Sequence, residues 1–245
     1  MENMSMTPHF GDPIGRAVFD YHFNSINQPI IIHSEDFDDD FIETSYLFRP
    51  YKQMPALEKK AMNLCRGSIL DIGACAGPHS VYLQEKGFEV TALETSSLCC
   101  QVLKSRNIHI VIQEDIFKFN HHTFDTILLL MNGTGIAGTL HGLDVLLHQL
   151  KKLLNPGGQI LMDSSDLIFL FEQEDGAALV DISAGKYYGE LVFQTEYQNW
   201  ISQPFPWLYI DVDNLKSAIE KNQLKLNKLF KGLHYDYMAQ ITFSQ

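Results

Sequence analysis

An apolar run ending in an acid, Ile69-Leu70-Asp71-Ile72, leads into the small-residue loop Gly73-Ala74-Cys75-Ala76-Gly77 and then Pro78-His79-Ser80. Small side chains let a ligand approach the main chain. The helix that should open after the loop offers unpaired N–H groups and the positive end of its dipole. Two further acids repeat the arrangement. Glu94, followed by Thr95, closes the next apolar run about twenty residues after the loop, where an acid takes both hydroxyls of a ribose. Asp115 follows a third run at the same edge; its carboxylate suits an adenine amino group, and Ile116 beside it suits the ring face. Three acids at three successive strand ends would line one crevice for a nucleoside-containing ligand. The dinucleotide fingerprint G-x-G-x-x-G is not met, because Gly73 is followed by Cys75 and Pro78.

Such a crevice needs a sheet behind it. Short apolar runs at 68–72, 89–93, 108–112, 124–130 and 159–163 read as strands, the fourth nearly all apolar, as suits a strand buried on both faces. Between them 80–86, ended by Gly87, then 96–105 and 140–153 read as helices, the last stopped by Asn155-Pro156-Gly157-Gly158. Strand and helix alternating at this spacing predict an α/β fold with a doubly wound sheet. Further on, 190–197 and 207–210 read as strands about the turn Gln203-Pro204-Phe205-Pro206. Residues 211–222 read as a helix capped by Asp211 or Asp213, and 224–230 with 235–243 as a closing antiparallel pair. The expected fold is therefore a seven-stranded sheet, mostly parallel with an antiparallel last strand. Residues 1–64 form an N-terminal cap segment, and 65–245 one domain whose β-rich insertion, at about 164–209, builds the substrate side. Within the cap, the acidic stretch 35–40 fails as a calcium loop, since Phe41 and Leu47 stand where glycine and glutamate are needed; it reads as a solvated loop or a helix start. Residues 55–62 read as a helix with Pro55 in its first turn.

Residues 65–166 resemble a class I S-adenosylmethionine-dependent methyltransferase. The first motif of that family is an acid followed by three alternating glycines, and Asp71-Ile72-Gly73-Ala74-Cys75-Ala76-Gly77 matches it except that Cys75 replaces the middle glycine. Phe124-Asp125-Thr126-Ile127-Leu128-Leu129-Leu130-Met131-Asn132-Gly133 resembles the fourth-strand motif, and Leu153-Leu154-Asn155-Pro156-Gly157-Gly158-Gln159-Ile160-Leu161 the turn before strand five. The resemblance implies S-adenosylmethionine as cofactor and methyl transfer as the reaction. It implies that Asp71, Gly73, Ala74 and Gly77 pass near the methionine part, Glu94 and Thr95 near the ribose, Asp115 and Ile116 near the adenine, with Met131 and Asn132 also at the cofactor. Family members that methylate exocyclic or amide nitrogen carry an Asn/Asp-Pro-Pro-aromatic motif where this chain has Met131-Asn132-Gly133-Thr134-Gly135, so the resemblance disfavours that chemistry.

The acceptor is less marked. The chain has 245 residues and a formal charge of −12. That balance disfavours nucleic acid, whose binding rests on lysine and arginine, and suits a small cationic or neutral acceptor. No apolar run reaches the roughly 20 residues of a membrane span, and residues 1–5 show no secretory leader. Four cysteines without a CxxC spacing read as reduced, cytoplasmic thiols. Tyr187, Tyr188, Tyr197, Trp200, Phe205, Trp207 and Tyr209 form either a cage for a cationic or flat substrate or the packing of a β-hairpin. Tyr46, Arg49 and Tyr51 either close over the cofactor or pack the cap. His79 faces the cofactor or serves the helix start. His234, Tyr235 and Asp236 would converge only in an irregular turn, and His121-His122 reads as a loop pair. A catalytic residue is not identifiable. Two other readings compete: a cofactor-binding protein without catalysis, and a nicotinamide-dependent oxidoreductase on a similar sheet, which the missing fingerprint opposes.

Overall fold

The structure is a computed structural model that describes residues 9–171 and 186–244. In chain order its elements are β1 (His9–Phe10), α1 (Pro13–Asn24), β2 (Pro29–Ser34), β3 (Asp40–Glu43), α2 (Ala56–Leu64), β4 (Ile69–Ile72), α3 (Pro78–Glu85), β5 (Val90–Glu94), α4 (Ser97–Ser105), β6 (Ile110–Gln113), β7 (Phe124–Leu129), α5 (Leu140–Lys152), β8 (Leu154–Ser165), β9 (Glu190–Tyr197), β10 (Trp200–Ile201), β11 (Phe205–Leu208), α6 (Val212–Lys221), β12 (Leu224–Lys231) and β13 (Asp236–Phe243). Short 3₁₀ turns lie at Thr44–Phe48, Tyr51–Gln53, Gly133–Ala137 and Leu167–Phe171.

The main sheet has seven strands in the order β12-β13-β8-β7-β4-β5-β6. Neighbours from β8 to β6 pair in parallel, whereas β13 runs antiparallel to both β8 and β12. Successive strand residues point to opposite faces, and the core divides accordingly. Ile127, Leu129, Ile160, Met162 and Ala239 meet Leu143, Leu146 and Leu150 of α5 and Leu215 and Ile219 of α6. Leu128, Leu161 and Met238 face the other way, onto Ala61 and Met62 of α2 and Leu83 of α3. This two-sided burial is why the strands read as largely apolar runs.

The N-terminal segment and the insertion build a second sheet together, in the order β1-β10-β9-β2-β3, with β11 also on β9. Ile31↔Glu196 and Ile32↔Thr195 join residues some 160 positions apart, an estimate of sequence distance that sets this pairing outside local pattern. The expected cap and the expected insertion are thus one layer. Asp12 starts α1 by accepting from the Gly15 N–H, with Pro13 at the first helical position. Residues 172–185 of the expected insertion lie outside the described residues.

Local differences from the sequence reading have physical causes. The third strand begins at Ile110, because Asn107 takes a left-handed φ of 61° and Ile108 donates back to the Leu103 carbonyl, closing α4. The Asn155-Pro156-Gly157-Gly158 stretch stops α5 but sits inside β8, where the register with β7 slips between Phe124 and Thr126. The eleventh strand spans Phe205–Leu208 rather than 207–210, since its ladder to β9 starts at Phe205↔Phe193. The acidic stretch 35–40 forms no helix; bends at 35–37 lead on to Asp40, which opens β3. Among the described residues no helix is long and apolar enough to cross a membrane.

Candidate functional site

A cavity of about 700 Å³ opens at the carboxyl ends of β4, β5, β7 and β8, walled on its far side by the second sheet. That volume lies in the range of small-molecule sites, roughly 300–1,000 Å³. Asp71, Gly73, Ala74, Glu94, Thr95, Asp115, Ile116, Met131 and Asn132 all line it. Gly77 stands just behind them at φ 78°, where an added Cβ would meet Leu103 Cδ2 at 2.5 Å, so glycine is required both by conformation and by space.

The acids are held in different ways. Asp71 is buried; its Oδ2 accepts from Ser80 Oγ at 2.6 Å. Burial pushes its carboxyl up, against the opposing effects of His79 and of the Ser80 hydrogen bonds. Glu94 ties the loop to the start of α4: one oxygen accepts from the Cys75 N–H at 2.8 Å, the other from the N–H groups of Thr95 and Ser96 at 2.7 and 2.9 Å. Asp115 turns the chain by accepting from the Phe117 N–H at 3.0 Å. Cys75, at the place of the middle glycine, has a left-handed φ of 51°. The loop keeps a glycine-like turn with a thiol on it, and that thiol packs with Cys99 against α1 and α4.

Asp163, Asp12, Glu58 and Glu114 are further acids on the same wall that the sequence does not single out. Asp163, near the end of β8, accepts from the N–H groups of Met131 and Gly133, each at 3.1 Å. It thereby holds Met131 and Asn132 in consecutive left-handed conformations, φ 66° and 56°. Burial pushes its carboxyl up to about 6, against those two hydrogen bonds. Asp12 comes from the cap of α1 and accepts from Ser96 Oγ. Glu58, on α2, anchors a buried cluster: Arg49 Nη2 reaches both of its oxygens at 2.6 Å, and His79 Nε2 lies 2.8 Å from Oε2. Asp12 has the Asp-Pro step before α1 as a local signal, and Asp163 is the last residue of the strand expected at 159–163; for Glu58 the helix is legible at 55–62 but its partners Arg49 and His79 are not.

Of the expected acceptor-side residues, Tyr46 and Trp207 line the cavity, joined by Phe193, Phe205 and Tyr209. Trp207 lies so close over Gly135 that a Cβ there would meet its ring at 1.9 Å. Arg49, Tyr187 and Tyr188 do not line the cavity. Arg49 is turned into Glu58, and its guanidinium stacks 4.1 Å from the Tyr46 ring centre. Tyr187 donates to Asp211 Oδ2 and Tyr188 to Asp166 Oδ1, each at 2.6 Å, so their hydroxyls bind the start of α6 and the end of β8. Tyr197 is buried against α1, and Trp200 packs on His9. Tyr51 stacks on Tyr82 with centroids 4.2 Å apart. The aromatic segment therefore divides between wall and packing. His79 lines the cavity and is buried there, held by Glu58. His234, Tyr235 and Asp236 do not converge: Asp236 faces the cavity while Tyr235 stacks on Phe169. His121 pairs with Glu114 at the surface. Among the described residues no three His, Cys, Asp or Glu side chains are grouped to share a metal ion.

The profile of the methyltransferase domain family matches residues 70–162. An S-adenosylmethionine-dependent methyltransferase from Bacteroides fragilis, solved with S-adenosyl-L-homocysteine, is 41 % identical and superposes with a TM-score of 0.88 over 98 % of this chain and 100 % of its own. The CcbJ methyltransferase of Streptomyces caelestis (12 % identical, TM-score 0.57, 80 % of this chain and 99 % of its own) shares the fold. So does an S-adenosylmethionine-dependent methyltransferase from Clostridium acetobutylicum (13 % identical, TM-score 0.56, 80 % and 93 %). No curated protein matches the chain.

Proposed function

We propose, starting from the chain's membership of the S-adenosylmethionine-dependent methyltransferase family, that it methylates a small-molecule acceptor on oxygen or nitrogen. S-Adenosylmethionine is its methyl donor. The observation that carries the acceptor reading is the cavity itself, a cleft of about 700 Å³ between two sheets, walled by Tyr46, Phe193, Phe205 and Trp207.

The wall fits the donor. A methyl added at Gly73 would meet only Ile136, at 3.6 Å, so the main chain there fronts open cavity rather than packed side chains. Asp71 and the loop from Gly73 to Gly77 would hold the amino-acid end, Glu94 with Thr95 the ribose, and Asp115 with Ile116 the adenine, while Met131 and Asn132 flank the middle. Each residue offers what that part needs: carboxylates for hydroxyl and amino donors, an apolar face for the ring. When bound, the donor supplies a methyl group already activated by a positively charged sulfur.

The chain's remaining work is to position the acceptor and exclude water. The second sheet does both, since Ile30, Ile32, Phe193, Thr195 and Trp207 close the cavity over the strand ends. The test is release of S-adenosylhomocysteine with a panel of small amines, alcohols and phenols, set beside basic peptides and RNA. Turnover with small molecules supports the reading; turnover confined to peptide or RNA overturns it.

A further inference from the structure

The acceptor side of the cavity carries carboxylates and aromatic rings without a cation to balance them. Among the described residues, no lysine or arginine lines the wall. Arg49 lies behind it, engaged by Glu58 and by the Tyr46 ring and carbonyl. Residues 1–8, 172–185 and 245 contain no lysine, arginine or histidine, so the rest of the sequence has no basic side chain to bring. A carboxylate or phosphate on the acceptor would enter this space unpaired, which is costly away from water. An ammonium would meet a carboxylate and the faces of several rings.

Most wall acids are already engaged. Glu58 holds Arg49 and His79, Asp71 holds Ser80, Glu94 holds three peptide N–H groups, and Asp12 holds Gly15 and Ser96. Glu114 pairs with His121, Asp115 accepts from the Phe117 N–H and is given above to the adenine, and Asp236 accepts from the His234 N–H in the turn before β13. Asp163 lies beside the Met131–Gly133 turn, where the middle of the donor is placed above. Each of its oxygens accepts a single peptide N–H, and its side chain is half-buried on the wall. A carboxylate can accept about four hydrogen bonds, so a lone pair remains on each oxygen. Glu58, His79, Tyr46 and Tyr237 are the titratable groups within electrostatic reach of it.

We propose, resting on the methyltransferase reading above, that the acceptor is a primary or secondary amine that enters as its ammonium ion and pairs with Asp163. The ammonium gives one proton to the Asp163 carboxylate. The freed nitrogen lone pair forms the new N–C bond as the sulfonium C–S bond breaks, with its electron pair left on sulfur, and the proton passes from Asp163 to solvent. Burial pushes the Asp163 carboxyl up to about 6, which suits it to hold a proton briefly near neutral pH.

The test is titration calorimetry on the full chain saturated with S-adenosylhomocysteine. The probes are benzylamine, N-methylbenzylamine and 2-phenylethylamine, each against the matched alcohol and carboxylate. The amines should bind about tenfold or more tightly than their matched partners, the effect of one hydrogen-bonded charge pair. Asp163→Asn, with S-adenosylhomocysteine raised to the concentration that saturates the variant, should reduce that preference to about threefold or less. Binding of carboxylates or alcohols as tight as that of every amine, or an undiminished amine preference in the variant, overturns the proposal. If Asp163→Asn fails to fold, the wild-type preference alone decides. Failure of wild type to bind S-adenosylhomocysteine would instead count against the donor site on which the proposal rests.

Discussion

Glu58→Ala should destabilise the protein by about 3–5 kcal/mol, the cost of leaving one charge of a buried pair alone. The structure sets that magnitude. Arg49, Glu58 and His79 are 2 %, 4 % and 5 % exposed, so water does not replace a lost partner. Arg49 Nη2 spends two 2.6 Å hydrogen bonds on Glu58, and its Nε has no hydrogen-bond partner among the described residues. Without the carboxylate the guanidinium keeps only the Tyr46 carbonyl and ring. For a chain of this size each kcal/mol shifts the melting temperature by about 2–4 °C, so the midpoint should fall by about 6–20 °C. Thermal unfolding followed by circular dichroism reads this directly. Glu58→Gln, which keeps the shape but not the charge, should fall between wild type and alanine. A pH series adds a second check. Burial pushes the Glu58 carboxyl up, but His79 and Arg49 outweigh it and hold it below its ordinary 4.5. A carboxyl whose folded value is depressed contributes stability that is whole above its unfolded value and lost as pH falls through the folded one. The gap between wild type and Glu58→Ala should therefore be full at neutral pH and shrink below about 4.5. A loss under about 1 kcal/mol at neutral pH would refute the reasoning, because the guanidinium would then be tolerated without its partner.

Three further outcomes are expected. Glu94→Ala should weaken S-adenosylhomocysteine binding by about 5- to 150-fold, from about 1–3 kcal/mol of lost hydrogen bonding, and calorimetry showing affinity unchanged within about twofold would remove Glu94 from the donor site. Cys75→Gly should change stability by no more than about 1 kcal/mol, because relief of the left-handed φ of 51° is offset by glycine's added chain entropy and by the lost thiol contact; urea unfolding showing a loss above about 2 kcal/mol would mean that the thiol packing dominates. Asp211→Ala should cost about 1–2 kcal/mol through the cap of α6 and the Tyr187 hydroxyl, with S-adenosylhomocysteine affinity unaltered; a matching loss of affinity would show that α6 and the cavity are coupled.

The legible parts of this molecule are those in which neighbouring residues settle the outcome. Strands such as Phe124–Leu129 are buried on both faces, so their sequence is mostly apolar and declares them. Acids at the strand ends were visible because strand end and loop adjoin in sequence, as at Asp71 and Glu94. Pairings across the chain were not visible. The Ile30-Ile31-Ile32 run carries a strand's composition and pairs with nearby β3, yet its other edge is fixed by distant β9. Asp163 ends the strand expected at 159–163, yet its role comes from the N–H groups of a different loop, which the sequence does not place beside it. Arg49 shows the opposite error. Its type suggested a ligand contact, but Glu58, nine residues on, takes its charge, and a pairing of that kind leaves no pattern in the sequence.

The most direct measurement is titration calorimetry of wild type with S-adenosylhomocysteine, repeated with NADH. The account predicts one-to-one micromolar binding of the first and none of the second. No binding of S-adenosylhomocysteine, or equal binding of NADH, would contradict the assignment of this cavity as the methyl-donor site.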